Sequence, residues 1–205
     1  MSGRPHDSEK PRAWQRMLSG RRLDLLAPSP DDIAIEDIAH GLARVARWNG
    51  QTFGVNAFSV AEHTVLVETI AGTLNPGWEK PWRLAALLHD APEYVIGDLI
   101  SPFKAAIGFD YKAFENRLLE AIHLRFGLPA QLPLEIATAI KQADRVAAYY
   151  EATVLAGFTK PEADRYFGIP AVPPTLAAML ARLDPLPVAD AQKRFLGRFR
   201  ALVAT

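Results

Sequence analysis

Proline placement constrains this chain more than any other feature. Proline lacks a backbone N–H and clashes with the preceding turn, so a helix interior excludes it. Sixteen prolines among 205 residues cut the chain into helix-sized pieces. Between them the apolar residues recur with helical spacing. A short extended stretch from Ile33 leads into a helix reaching Trp48, with Ile38, Leu42 and Val45 on one face. Residues 50–54 form a loop. Ser59 and Glu62 make a capping-box pair opening a helix to about Leu74, which Pro76-Gly77 ends. A short apolar helix covers residues 82–90; Pro92 stops it and begins a second short element. Residues 110–126 read as an amphipathic helix ending at Gly127, and residues 133–156 as a long one ending at Gly157. Six prolines follow Thr159, around two more helices at about residues 175–182 and 188–203. Strand signals are weak and confined to the first 60 residues. The expectation is all-α, with minor short strands near the N-terminus. Residues 1–20 read as a loosely held arm and residues 21–205 as one domain, with a core over 37–156 and a helical extension over 159–205.

Composition removes several function classes. The chain has no cysteine, which excludes disulfide scaffolds, thiolate zinc sites and cysteine nucleophiles. Lys+Arg 23 balance Asp+Glu 23, so no global basic field argues for a nucleic acid polymer as partner. No apolar run approaches the roughly 18 residues of a membrane span. The basic N-terminus has no apolar stretch behind it, so no secretory signal is expected and the protein is placed in the cytoplasm.

Of five histidines, His89 is the informative one. Leu87-Leu88-His89-Asp90 delivers two ligand-type side chains at the end of an apolar helix, where Pro92 breaks it. Taken alone, the pair reads first as a core histidine hydrogen-bonded to an aspartate; a divalent metal is the alternative way to satisfy both. Glu93 falls four residues after His89, and Asp98 follows Gly97. Three acids and a histidine in so apolar a segment exceed what a core needs. His63 lies one turn into the capped helix. Asp144, in Lys141-Gln142-Ala143-Asp144-Arg145, is either paired with Lys141 or Arg145 or turned inward as a ligand.

His63, then His89-Asp90, then Asp144 resembles the H…HD…D pattern of the HD-domain metal-dependent phosphohydrolases. The segment HDAPEYVIGDLISPFK and the preceding Arg47-Trp48 pair, taken as lying on an early helix, are most similar to the bacterial 5′-deoxynucleotidase branch. The resemblance covers about residues 37–151. Residues 21–38 and the tail beyond 159 have no counterpart in it, and the loop over 49–58 differs.

The resemblance implies an HD-type helical bundle around one divalent ion (Mn, Co, Zn, Fe or Mg) held by His63, His89, Asp90 and Asp144. Glu93 would orient or deprotonate the attacking water. Asp98 would serve the leaving group or a sugar hydroxyl. Arg47 has the fork shape for a terminal phosphate. Trp48 would flank a base or sugar, or else belong to the core. Lys104 would be a second phosphate contact, or else solvated. His40 and Arg44 read as surface or supporting residues, Glu62 as a cap, and His123 as packed or exposed. The implied reaction is hydrolysis of a nucleoside 5′-monophosphate, so the partner is a small nucleotide, with a homodimer left open. The rivals are a phosphodiesterase or nucleotide polyphosphate hydrolase of the same superfamily, and a non-catalytic, metal-stabilised regulatory module.

Overall fold

Residues 13–98 and 109–204 are described by a computed structural model. It opens with an antiparallel hairpin, β1 (Trp14–Arg16) and β2 (Arg22–Asp24), in which Gln15 faces Leu23. The hairpin is pinned, which corrects the expectation of a loose arm from Trp14 onward. Leu23 is fully buried, and Ser19 donates from both its backbone N–H and its hydroxyl to the buried Asp37 carboxylate. Residues 1–12 lie outside the described residues.

The helices follow in order: α1 (Ile35–Leu42), α2 (Val60–Leu74), α3 (Lys80–Leu87), α4 (Glu93–Ile96), α5 (Phe109–Arg125), α6 (Leu134–Val154), α7 (Lys160–Phe167), α8 (Pro174–Leu180) and α9 (Val188–Val203). The all-α expectation holds. Among the described residues, no helix is long and apolar enough to cross a membrane.

α2 is the central helix. Val60, Ala61, Val67, Ile70 and Ala71 are fully buried, because α6, α3 and α9 surround it. Burying one such aliphatic side chain contributes about 1.5–3 kcal/mol, so this enclosure supplies much of the core. Its start is the expected capping box: Ser59 accepts from the Glu62 N–H, and the Glu62 carboxylate accepts from the Ser59 N–H at 3.0 Å. Glu62 also accepts from the Leu186 N–H at 2.8 Å, so the cap ties the C-terminal segment to α2. That segment is part of the core, since Leu180, Phe195, Phe199 and Leu202 are all buried. Farther along α2, the buried Glu68 carboxylate accepts two 2.7 Å bonds from Arg198 of α9 and pairs with Arg83 of α3 at 2.6 Å.

Two expectations change. The first helix ends at Leu42 instead of reaching Trp48, because the chain there pairs with the approach to α2: Val60 N–H donates to Val45 O at 2.9 Å, and Arg47 N–H to Phe58 O at 2.8 Å. Arg44 lies beyond that helix end, is exposed and donates to Gln192. An additional helix, α7, stands where none was expected, started by a second capping box between Thr159 and Glu162.

Candidate metal centre

α2 brings His63 to the centre of the fold with its side chain fully buried. α3 ends at Leu87, and the turn through Pro92 presents His89 and Asp90 before α4 begins at Glu93. α6 packs along α2 and contributes Asp144. Ligand atoms of His63, His89 and Asp90 lie within 4.8 Å of one another. Asp90 Oδ2 stands 3.3 Å from His63 Nε2 and 3.1 Å from His89 Nε2, and Asp144 Oδ1 stands 3.3 Å from His63 Nε2. The cluster opens to solvent on one side, where the His89, Asp90 and Asp144 side chains are 12%, 24% and 16% exposed.

The hydrogen bonding of the two imidazoles decides what this cluster can hold. His63 Nδ1 is 2.5 Å from Glu151 Oε1, and His89 Nδ1 is 2.9 Å from the Ala86 carbonyl. An acceptor at Nδ1 places the proton of a neutral ring there and leaves Nε2 with its lone pair. Both Nε2 atoms are buried and make no hydrogen bond. They face carboxylate oxygens across just over 3 Å. Lone pairs and anions arranged this way require a cation between them, either a proton or a metal ion. His63, His89 and Asp90 converge as two imidazole nitrogens and a carboxylate oxygen, with the Asp144 carboxylate beside His63; divalent ions such as Zn, Mn, Fe or Co take such donors, so the residues fit the group.

The electrostatics agree. Burial and the Arg47 charge oppose a proton on His63, yet Glu151, Asp144 and Asp90 outweigh them and raise its pKa well above the ordinary value. Burial also opposes ionisation of Asp90 and Asp144, but the neighbouring imidazoles hold both well below the usual carboxylate range. The cluster is thus a concentrated anionic site. Asp144 meets both alternatives raised for it: Oδ1 faces His63, and Oδ2 accepts from Lys141 at 2.6 Å.

The other expected site residues fall as follows. Glu93 is buried at the first position of α4. Its neighbour Tyr94 packs directly on Gly41, where an added Cβ would lie 2.7 Å from Tyr94 Cβ. Asp98 Oδ2 accepts from Arg47 Nη1 at 3.0 Å, so this carboxylate is paired with the guanidinium. Arg47 sits in a short 3₁₀ turn, Arg47–Gly50, and not on an early helix. Its Nε donates to Glu151 Oε2 at 3.3 Å. Burial opposes the Arg47 charge, but Glu151 and Asp98 raise its pKa further still, so it stays a cation. Trp48 donates its indole N–H to Glu151 Oε2 at 3.0 Å and packs beside Phe158 and Phe167. Lys104 lies outside the described residues.

Glu151 is the residue that reading the sequence missed. It is fully buried, and its carboxylate accepts from His63, Arg47 and Trp48. Burial opposes its charge, but those cations and donors bring its pKa down to about 2. Its signal was its position seven residues after Asp144, two turns along one helix face.

Residues 60–149 match the HD domain family. That span contains all four ligand-type residues of the cluster. The chain thus carries an HD domain, the helical domain of the metal-dependent phosphohydrolase superfamily. It is 61% identical over 193 residues to an uncharacterized protein of Rhodobacter capsulatus, covering 94% of this chain and 96% of that one. It is also 30% identical over 131 residues to the uncharacterized protein YfdR of Escherichia coli, covering 64% of this chain and 66% of YfdR.

Proposed function

We propose that this protein is a 5′-nucleotidase-like phosphomonoesterase that hydrolyses nucleoside 5′-monophosphates to nucleoside and phosphate. The observation that carries the reading is the pair of buried, unbonded Nε2 atoms of His63 and His89 converging with Asp90 and Asp144 on a solvent-open face, beside a clamped arginine. His63, His89, Asp90 and Asp144 would hold one divalent ion, which supplies Lewis acidity toward phosphoryl oxygen and water. Glu93, buried on the turn after Asp90, accepts the proton of the attacking water. Arg47 is anchored through Nη1 on Asp98 and Nε on Glu151, and its guanidinium would meet a phosphate oxygen through Nη2. A guanidinium so fixed orients a terminal phosphate without first losing its own freedom.

A monoester suits this site better than a diester. A terminal phosphate offers one oxygen edge to the arginine and another to the cation, whereas a diester has one fewer anionic oxygen. The test is a phosphate-release screen on metal-free protein reloaded with single divalent ions, comparing 5′-monophosphates with cyclic and linear dinucleotides. Turnover of monophosphates is expected. Faster turnover of any diester would instead favour the phosphodiesterase reading, and no turnover with any ion the non-catalytic one.

A further inference from the structure

We infer that Glu151 is a positioning residue, fixing the His63 ring as an Nε2 ligand and tying it to the turn that carries Arg47. The inference rests on the reading of His63 as a metal ligand.

Glu151 is fully buried. A buried carboxylate is costly unless every lone pair is matched, and apolar residues of similar volume often serve stability as well. Its three donors come from two different parts of the fold. His63 stands on α2, while Arg47 and Trp48 stand on the 3₁₀ turn. One oxygen takes the imidazole Nδ1, and the other takes both the guanidinium Nε and the indole N–H.

The backbone of the turn points the same way. Trp48 and Asn49 both adopt left-handed backbone, with φ of 56° and 51°. Such backbone is disfavoured for a bulky residue such as tryptophan, though asparagine tolerates it, and it persists where the surroundings enforce it. Here the left-handed turn carries the Trp48 indole N–H to Glu151 while its ring packs against Phe158 and Phe167. The carboxylate thereby sets the tautomer and the rotation of His63, and it holds Arg47 in register with the same ring. A carboxylate behind a ligating histidine typically changes metal affinity by 10–100-fold.

A merely structural ion pair between Glu151 and Arg47 would affect stability alone, and Co²⁺ binding separates the two roles. Co²⁺ alone is titrated into metal-free wild type, Glu151→Gln, Trp48→Phe and Glu68→Gln, following the visible absorption of the bound ion. Glu68→Gln is the control, since it alters a different buried carboxylate, on α2, that pairs with Arg83 and Arg198. Glu151→Gln is expected to weaken Co²⁺ about 10–100-fold and change the band shape. Trp48→Phe should weaken it in the same direction by a smaller factor. Glu68→Gln should lower Tm while its Kd stays within about twofold of wild type. A folded Glu151→Gln that binds within about twofold of wild type, with an unchanged band, overturns the inference alone. If Glu151→Gln does not fold, an unchanged Kd and band in Trp48→Phe overturns it. Wild type that takes up no Co²⁺ overturns the metal reading, and this inference with it.

Discussion

Gly41→Ala should both destabilise the protein and slow it. Gly41 lies in α1 against α4, and a Cβ there would meet Tyr94 Cβ at 2.7 Å, Tyr94 O at 2.9 Å and Tyr94 Cα at 3.0 Å. Ordinary carbon contact begins near about 3.5 Å, so the segment carrying Glu93 must retreat by about 0.8 Å. The neighbour is mostly backbone, which gives less readily than a flexible side chain. Overpacking of this kind costs about 1–3 kcal/mol, while replacing glycine inside a helix gains about 1 kcal/mol. A backbone clash belongs at the upper end, leaving a net loss of about 1–2 kcal/mol. At about 2–4 °C per kcal/mol, Tm should fall by about 2–8 °C. Gly197→Ala in α9 is the matched comparison, because nothing lies within 4 Å of its would-be Cβ. It should raise stability by about 0.5–1 kcal/mol. A displacement approaching 1 Å at Glu93 should lower kcat by up to about 10²-fold, with Co²⁺ affinity retained. Calorimetry and phosphate release on the two variants decide. Gly41→Ala melting at or above wild type would refute the packing argument, whatever its activity.

Glu93→Ala should keep metal and fold but lose about 10²–10⁴ of turnover, since a positioned base contributes that much; loss of metal in this variant would make Glu93 a ligand instead. Arg47→Lys replaces a planar fork anchored on Asp98 and Glu151 with a point charge, so KM for a monophosphate should rise or kcat fall, and unchanged kinetics would remove Arg47 from the phosphate site. His123 is buried, and burial lowers its pKa although Nδ1 donates to the Ala130 carbonyl. Its neutral form is therefore favoured in the fold. Above about pH 6.5 both states are neutral there; below it the unfolded chain takes the proton first, and stability falls as pH falls. Between pH 7 and 5, wild type should lose more Tm than His123→Gln, and parallel curves would contradict this.

What was legible in the sequence was whatever rests on local chemistry. Ser59 and Glu62 announced the start of α2, and Pro92 announced the break that presents His89 and Asp90. What escaped was set by pairing across the chain. Nothing within residues 43–48 forbids a helix; Val45 and Arg47 leave it because their backbones bond to Val60 and Phe58. With the helix gone, Arg47 and Trp48 turn toward Glu151, and Asp98 becomes an anchor for Arg47. Glu151 reads in isolation as one more acid on a long helix. Only the packing of α6 on α2 shows that it faces the imidazole of His63. The α7 start was readable, since Thr159 and Glu162 repeat the pattern of Ser59 and Glu62, and Pro161 stands in the first turn, where its missing N–H forfeits no helix bond.

One divalent ion held by His63, His89, Asp90 and Asp144 underlies every role proposed for the site. The direct measurement is metal content by elemental mass spectrometry on wild type, His63→Ala, His89→Ala, Asp90→Ala and Asp144→Ala, each reloaded with the same ion and cleared of excess. About one ion per chain is expected in wild type, with loss of occupancy or a sharply weakened affinity in every variant. Full occupancy at wild-type affinity in any of the four would remove that residue from the site, and full occupancy in all four would contradict the account.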